Sequence, residues 1–170
     1  VIDTTAPTLS NVTIIPTKVM EEGTVTLTFT SSEEINKPTI QFNIAGGEYG
    51  TLPADNISNT SNNWTATSTV DESDTEGLIG FKIDYTDLAG NEGTQVTATS
   101  GTGSGTSTTI DKTAPTVLSV SATTGSYKTG DNIDITITFS EVVNVPEEEY
   151  PYISLTVGSD DTSRAIYNSG

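Results

Sequence analysis

The 170-residue sequence predicts an all-β protein, an antiparallel β-sandwich repeated in tandem with its second copy incomplete. Three observations carry this. Val25, Leu27 and Phe29 alternate with Thr24, Thr26, Thr28 and Thr30, the period-two pattern of a strand with one face in a core. Turn-forming clusters recur about every ten residues, and no segment carries an apolar stripe of helical period. The opening Ile2-Asp3-Thr4-Thr5-Ala6-Pro7-Thr8 returns 108 residues later as Ile110-Asp111-Lys112-Thr113-Ala114-Pro115-Thr116, with six of seven positions identical.

Taken in order, the first copy spans 1–109. Its strands are expected at Leu9–Ile14, over the Thr24–Thr30 alternation, and at Thr39–Ile44, Trp64–Val70, Leu78–Thr86 and Thr94–Thr99. Ile79, Phe81, Ile83 and Tyr85 share one face, and Lys82, Asp84 and Thr86 the other, which marks the best core strand. Ser100–Ser107 is rich in Gly, Ser and Thr, the composition of a flexible tether or of a loop leading into a final strand. The second copy, 110–170, repeats the order of features: a Gly-bearing turn (Gly23, Gly130), an alternating strand, then Ser-Glu (Ser32-Glu33, Ser140-Glu141). Its strands are expected at Val117–Ala122, Ile133–Phe139, Ile153–Val157 and Ser163–Tyr167. They are too few for a full sandwich, so the second copy is either truncated or completed by strands from another chain.

Composition narrows function. Six Lys plus Arg against 23 Asp plus Glu give a net charge of -17, which repels nucleic acid and anionic membrane surfaces and favours cations. There is no Cys and no His, so disulfides, soft-metal sites and Ser-His or Cys-His nucleophile pairs are excluded. A hydrolase would need two carboxylates fixed across a cleft, and short sandwich modules seldom enclose one. The protein is therefore expected not to be an enzyme. No apolar run reaches the length of a membrane-spanning helix, and targeting information is expected outside this sequence.

The Asp-x-Thr-Ala-Pro-Thr opening and the later Tyr85-Thr86-Asp87-Leu88-Ala89-Gly90-Asn91 resemble the tandem immunoglobulin-like repeats of large bacterial surface adhesins and related exported proteins. The resemblance implies an immunoglobulin-like sandwich, an extracellular or cell-surface location, and calcium near module junctions. It names an architecture more firmly than a task. The function it implies is a structural spacer that extends an adhesin from the cell, with neighbouring modules of the same protein, and other copies of the chain, as partners. The alternative is a subunit of a surface layer, sheath or extracellular filament with strands donated between chains. A third reading, direct binding of glycan or ice, requires Trp64 or the Thr24–Thr30 face to meet a ligand. Trp64 reads better as a core or rim residue.

Calcium takes six to eight hard oxygen ligands, so clustered carboxylates are its candidate sites. If seven strands run up and down alternately, Asp3, Glu33 and the turn holding Asp87 and Asn91 meet at one pole. At the other, Asp71, Glu72, Asp74 and Glu76 approach Asp111 and Glu141 where the next copy begins. Each set reads also without metal: the Asp71 loop as a solvated acidic loop that lacks EF-hand spacing, and Asp87–Asn91 as tight-turn chemistry.

Overall fold

The computed structural model describes residues 2–100, 105–128, 130–145, 152–157 and 161–167; Tyr150 and residues 101–104 of the Gly/Ser/Thr segment fall outside them. The chain forms two compact units, Val1–Lys112 and Thr113–Gly170. The first ends three residues beyond the boundary read from the repeat.

The first unit is all-β, with strands β1 (Leu9–Ile15), β2 (Lys18–Val19), β3 (Thr24–Ser31), β4 (Thr39–Ile44), β5 (Gly50–Thr51), β6 (Ile57–Thr60), β7 (Asn63–Thr69), β8 (Gly77–Asp84) and β9 (Thr109–Ile110). One sheet has the order β1-β3-β7-β6 and the other β2-β9-β8-β4-β5. The pairings are antiparallel except β2 with β9, which run parallel.

The alternation written in the sequence sets which atoms meet. On β3, Val25, Leu27, Phe29 and Ser31 are buried while three of the intervening threonines, Thr26, Thr28 and Thr30, stay half-exposed. Leu27 sits across from Ile14 on β1 and Ala66 on β7, and all three are essentially sealed from water. From the second sheet come Ile40, Phe42, Ile79, Phe81 and Ile83, which join the same cluster. Trp64 lies inside it, stacked on Phe29 with ring centroids 6.3 Å apart, so it is a core residue. Its indole Nε1 is buried without a hydrogen-bond partner.

The chain between β8 and β9 differs from expectation. Thr94–Thr99 alternates like a strand, yet only Val96 pairs, as a single bridge to Ile83. The register slips by one residue between the Thr86↔Glu92 and Ile83↔Val96 bridges, which interrupts a regular ladder, and the Gly93 backbone packs directly on the Tyr85 ring at that point, where a Cβ would fall 2.1 Å from it. The closing strand is instead β9. Its Ile110 is buried, whereas Ile2, the same residue of the repeated motif, is 89% exposed. The loop entering β9 is pinned where it is described: Ser100 Oγ accepts from the Val12 amide at 3.1 Å, and Gly105 O accepts from the Ile14 amide at 2.9 Å. Thr108 Oγ1 donates to Pro16 O at 2.6 Å, and the Thr109 and Asp111 amides donate to Thr17 O and Val19 O.

The second unit contains β10 (Val117–Ala122), β11 (Ile135–Phe139), β12 (Tyr152–Val157) and β13 (Asp161–Ile166), paired as two antiparallel hairpins. The first hairpin reproduces β1 on β3 almost residue for residue. Leu9↔Ser31, Thr13↔Thr28 and Ile14↔Leu27 recur 108 residues later as Val117↔Phe139, Ser121↔Thr136 and Ala122↔Ile135. Its side-chain clasp recurs too, since Thr8 N donates to Ser32 Oγ at 3.0 Å and Thr116 N to Ser140 Oγ at 2.9 Å.

Candidate metal centre

Three segments of the first unit meet at one end of its sandwich. The N-terminal segment brings Asp3, the turn after β3 brings Glu33, and the turn after β8 brings Asp87. One carboxylate oxygen from each lies within 4.8 Å of the others, and this is the one such trio of acidic groups among the described residues. Asp3 is exposed, Glu33 half-exposed and Asp87 buried to 1%.

Local chemistry explains why Asp87 can be there. Its Oδ1 accepts from the Asn91 amide at 2.8 Å and its Oδ2 from Asn91 Nδ2 at 2.7 Å, closing a turn in which Gly90 takes a positive φ of 94°. Asn91 Nδ2 also donates to Asp3 O at 3.2 Å, which ties the entering segment to the turn. Asn36, which no sequence signal singled out, donates through Nδ2 to Asp87 O at 2.6 Å, beside the Ile35↔Asp87 bridge. Thr5 N donates to Asp3 Oδ1 at 2.9 Å. Asn91 therefore turns its amide nitrogen toward the acids, and its role is to orient Asp87.

The Asn91 side chain, followed by the backbone donors of the turn, holds the Asp87 carboxyl below the usual range, against the burial that pushes it up. The group is ionised in the folded state. Its folded pKa is depressed, so its stabilisation is present above the unfolded carboxylate value of about 3.9 and is lost as pH falls through the folded one. The melting temperature of the first unit, followed by circular dichroism, should be level from neutral pH down to about 5 and fall below about 4, and Asp87→Asn should flatten that fall.

The other acidic set takes a different form. Asp71 Oδ1 accepts from Ser73 N and Oγ at 2.7 and 2.6 Å, and Asp74 Oδ2 accepts from the Asp71 amide at 2.9 Å. The Ser73 hydroxyl and amide are the leading causes of a lowered Asp71 pKa. Glu76 Oε1 accepts from the Lys112 amide at 2.7 Å, while Lys112 Nζ donates to the backbone oxygens of Asp71 and Glu72. Asp111 pairs with Lys18 at 2.6 Å. Within the first unit, Asp71, Glu72, Asp74, Glu76 and Asp111 thus serve a self-capped loop and its lysine partners, and no three of them share ligand distance. Glu141 belongs to the second unit.

An open depression of about 440 Å³, lined by Glu34, Asn59, Ser61 and Asn62, holds a single carboxylate. Compared with protein-family models and with curated proteins, the chain matches none.

Proposed function

We propose that this chain is an extracellular structural spacer of immunoglobulin-like repeats in a cell-surface adhesin, stiffened by calcium where the entering segment meets the sandwich. The observation that carries the calcium reading is the convergence of Asp3, Glu33 and the buried, ionised Asp87. Two oxygens on opposite sides of a calcium ion with bonds of about 2.4 Å stand about 4.8 Å apart, so oxygens this close fit one coordination sphere. Three negative groups at such distances repel one another, and a divalent cation turns that repulsion into attraction. Because Asp3 belongs to the entering segment, the ion would fasten that segment to the body.

The modular reading rests on strand order and repetition. The order β1-β3-β7-β6 over β2-β9-β8-β4-β5 supports the immunoglobulin-like reading, since sandwiches of that type order their sheets ABED and A′GFCC′. The first hairpin and the Ile-Asp-x-Thr-Ala-Pro-Thr motif both recur at an interval of 108 residues. In that interval Asp111 and Glu141 take the positions of Asp3 and Glu33. The reading is non-enzymatic: with no Cys and no His the chain offers carboxylates alone for acid–base work, and the three that converge bring their oxygens to a spacing that suits one shared cation.

Calorimetric titration of calcium into the chelator-stripped chain tests this. One site on the first unit with micromolar to millimolar affinity, lost in Asp87→Asn and kept in Asp74→Asn, is the expected result. Absence of heat, or equal loss in both variants, would reduce the pole to turn chemistry.

A further inference from the structure

We infer that the first unit is built to bear tension along the chain: its entering and leaving segments form one parallel seam, which a pull from end to end loads in shear along its whole length at once. This load path follows from strand pairing alone, goes beyond the spacer reading and needs no calcium.

The seam runs well past the two residues of its regular ladder. Val12 N donates to Ser100 Oγ at 3.1 Å, and Val12 O accepts from the Ser100 amide at 3.0 Å. Ile14 N donates to Gly105 O at 2.9 Å, and Pro16 O accepts from Thr108 Oγ1 at 2.6 Å. The Thr109 and Asp111 amides donate to Thr17 O and Val19 O at 3.0 and 2.9 Å, and Lys18 Nζ bonds Asp111 Oδ2 at 2.6 Å. Positions 12, 14, 16, 17 and 19 thus meet 100, 105, 108, 109 and 111, both series rising together. The two segments are parallel throughout, and β2 on β9 is the stretch regular enough to form a ladder.

Direction gives the seam its consequence. β1 and β2 lead away from the point where the chain enters, and β9 leads toward the point where it leaves. Tension between those points pulls the two sides in opposite directions along their own axes. Bonds across a parallel pair are evenly spaced, so they are strained together. An antiparallel pair pulled apart at one end gives up its bonds one by one. The middle of the seam is also buried: Ile14 and Ile110 are each 1% exposed and Thr108 0%. Gly105 is buried there at a φ of 104°, where an added Cβ would stand 3.1 Å from Ile15 Cγ2. A bond broken in such a place has no water at hand to replace it, so it costs more than one broken at the surface.

Force spectroscopy of the 170-residue chain tests this, and because the chain has no cysteine, introduced pairs set the pulling direction. Handles on Ile2→Cys and Ala114→Cys load the seam in shear. Handles on Ile2→Cys and Glu34→Cys, placed where β1 begins and β3 ends, peel β1 from that end, since Leu9 faces Ser31. With chelator present throughout, we expect end-to-end unfolding of the first unit to need at least about twice the force of peeling. At a fixed force Thr108→Val should speed end-to-end unfolding roughly tenfold and peeling less than about twofold, because peeling starts at Leu9 and reaches Pro16 late. Lys18→Ala, a change at an exposed side chain, should act in the same sense and more weakly. Equal forces in the two directions, or variants that speed both alike, overturn the load path; neither result bears on the calcium titration.

Discussion

Replacing Leu27 with alanine should unfold the first unit at a temperature roughly 15–25 °C below the unaltered chain, the largest effect expected of any single truncation. Leu27 has no exposed surface and lies between Ile14 and Ala66, themselves sealed. A leucine truncated in such a place leaves a cavity that its neighbours, held in strand register, cannot close, and comparable truncations cost about 3–5 kcal/mol. For a domain near a hundred residues, each kilocalorie moves the midpoint by about 4–8 °C. The molecule supplies its own control. Ile135 occupies the same place in the repeat, but it is only half-buried among the described residues. Ile135→Ala should cost under about 1 kcal/mol. Calorimetric scans of the two variants separate the cases. If both midpoints move by less than a few degrees, the β3 face is not the centre of a packed core.

That contrast also shows how far residues alone disclose this structure. Where one face of a strand is buried and the other wet, composition records the fold: Val25, Leu27 and Phe29, and Ile79, Phe81, Ile83 and Tyr85, were legible as core, and all are buried. The pattern at Thr94–Thr99 is equally regular and yields only the Val96 bridge, because the register slips by one residue between Glu92 and Val96, where Gly93 packs on the Tyr85 ring, and local alternation carries no record of such a slip. The closing strand β9 was concealed for another reason. Its Ile110 opens the repeated motif in sequence but completes the sandwich of the preceding unit in space, so a reading by motif divides the chain before it and packing divides the chain after it.

The candidate site was legible to the same degree. Topology of alternating strands predicts that Asp3, Glu33 and the Asp87 turn share a pole, and they do. Which carboxylate is held ionised depends on the Asn91 donors, while Asn36 fixes the Asp87 backbone carbonyl, and side-chain hydrogen bonds of that kind leave no periodic trace. The Asp71 loop has the denser run of acids in sequence, yet it spends its oxygens on its own backbone and on Lys112. Acid density marks a flexible solvated loop as readily as a site; convergence from three separate segments is the stronger signal.

Calcium should raise the midpoint of the first unit by roughly 10–20 °C when present at a hundredfold excess over its dissociation constant, since binding to the folded state alone then contributes about 2.7 kcal/mol. Three features distinguish this from general screening of a chain with net charge -17. Magnesium at the same concentration should do much less, because it demands near-octahedral ligands at about 2.0–2.1 Å and sheds its water reluctantly, whereas sodium at matched ionic strength tests screening itself. Asp87→Asn should remove the calcium increment, while Asp111→Asn, which alters the carboxylate that pairs with Lys18 and leaves the Asp3, Glu33 and Asp87 trio intact, should keep it. The increment should also shrink as pH drops below about 4, where protonation of Asp87 competes with the metal, and it should do so in the same range in which Asp87 stops stabilising the apo form. A rise that magnesium matches, or that survives Asp87→Asn, would assign the effect to diffuse charge and leave the Asp3, Glu33 and Asp87 pole as a capped turn.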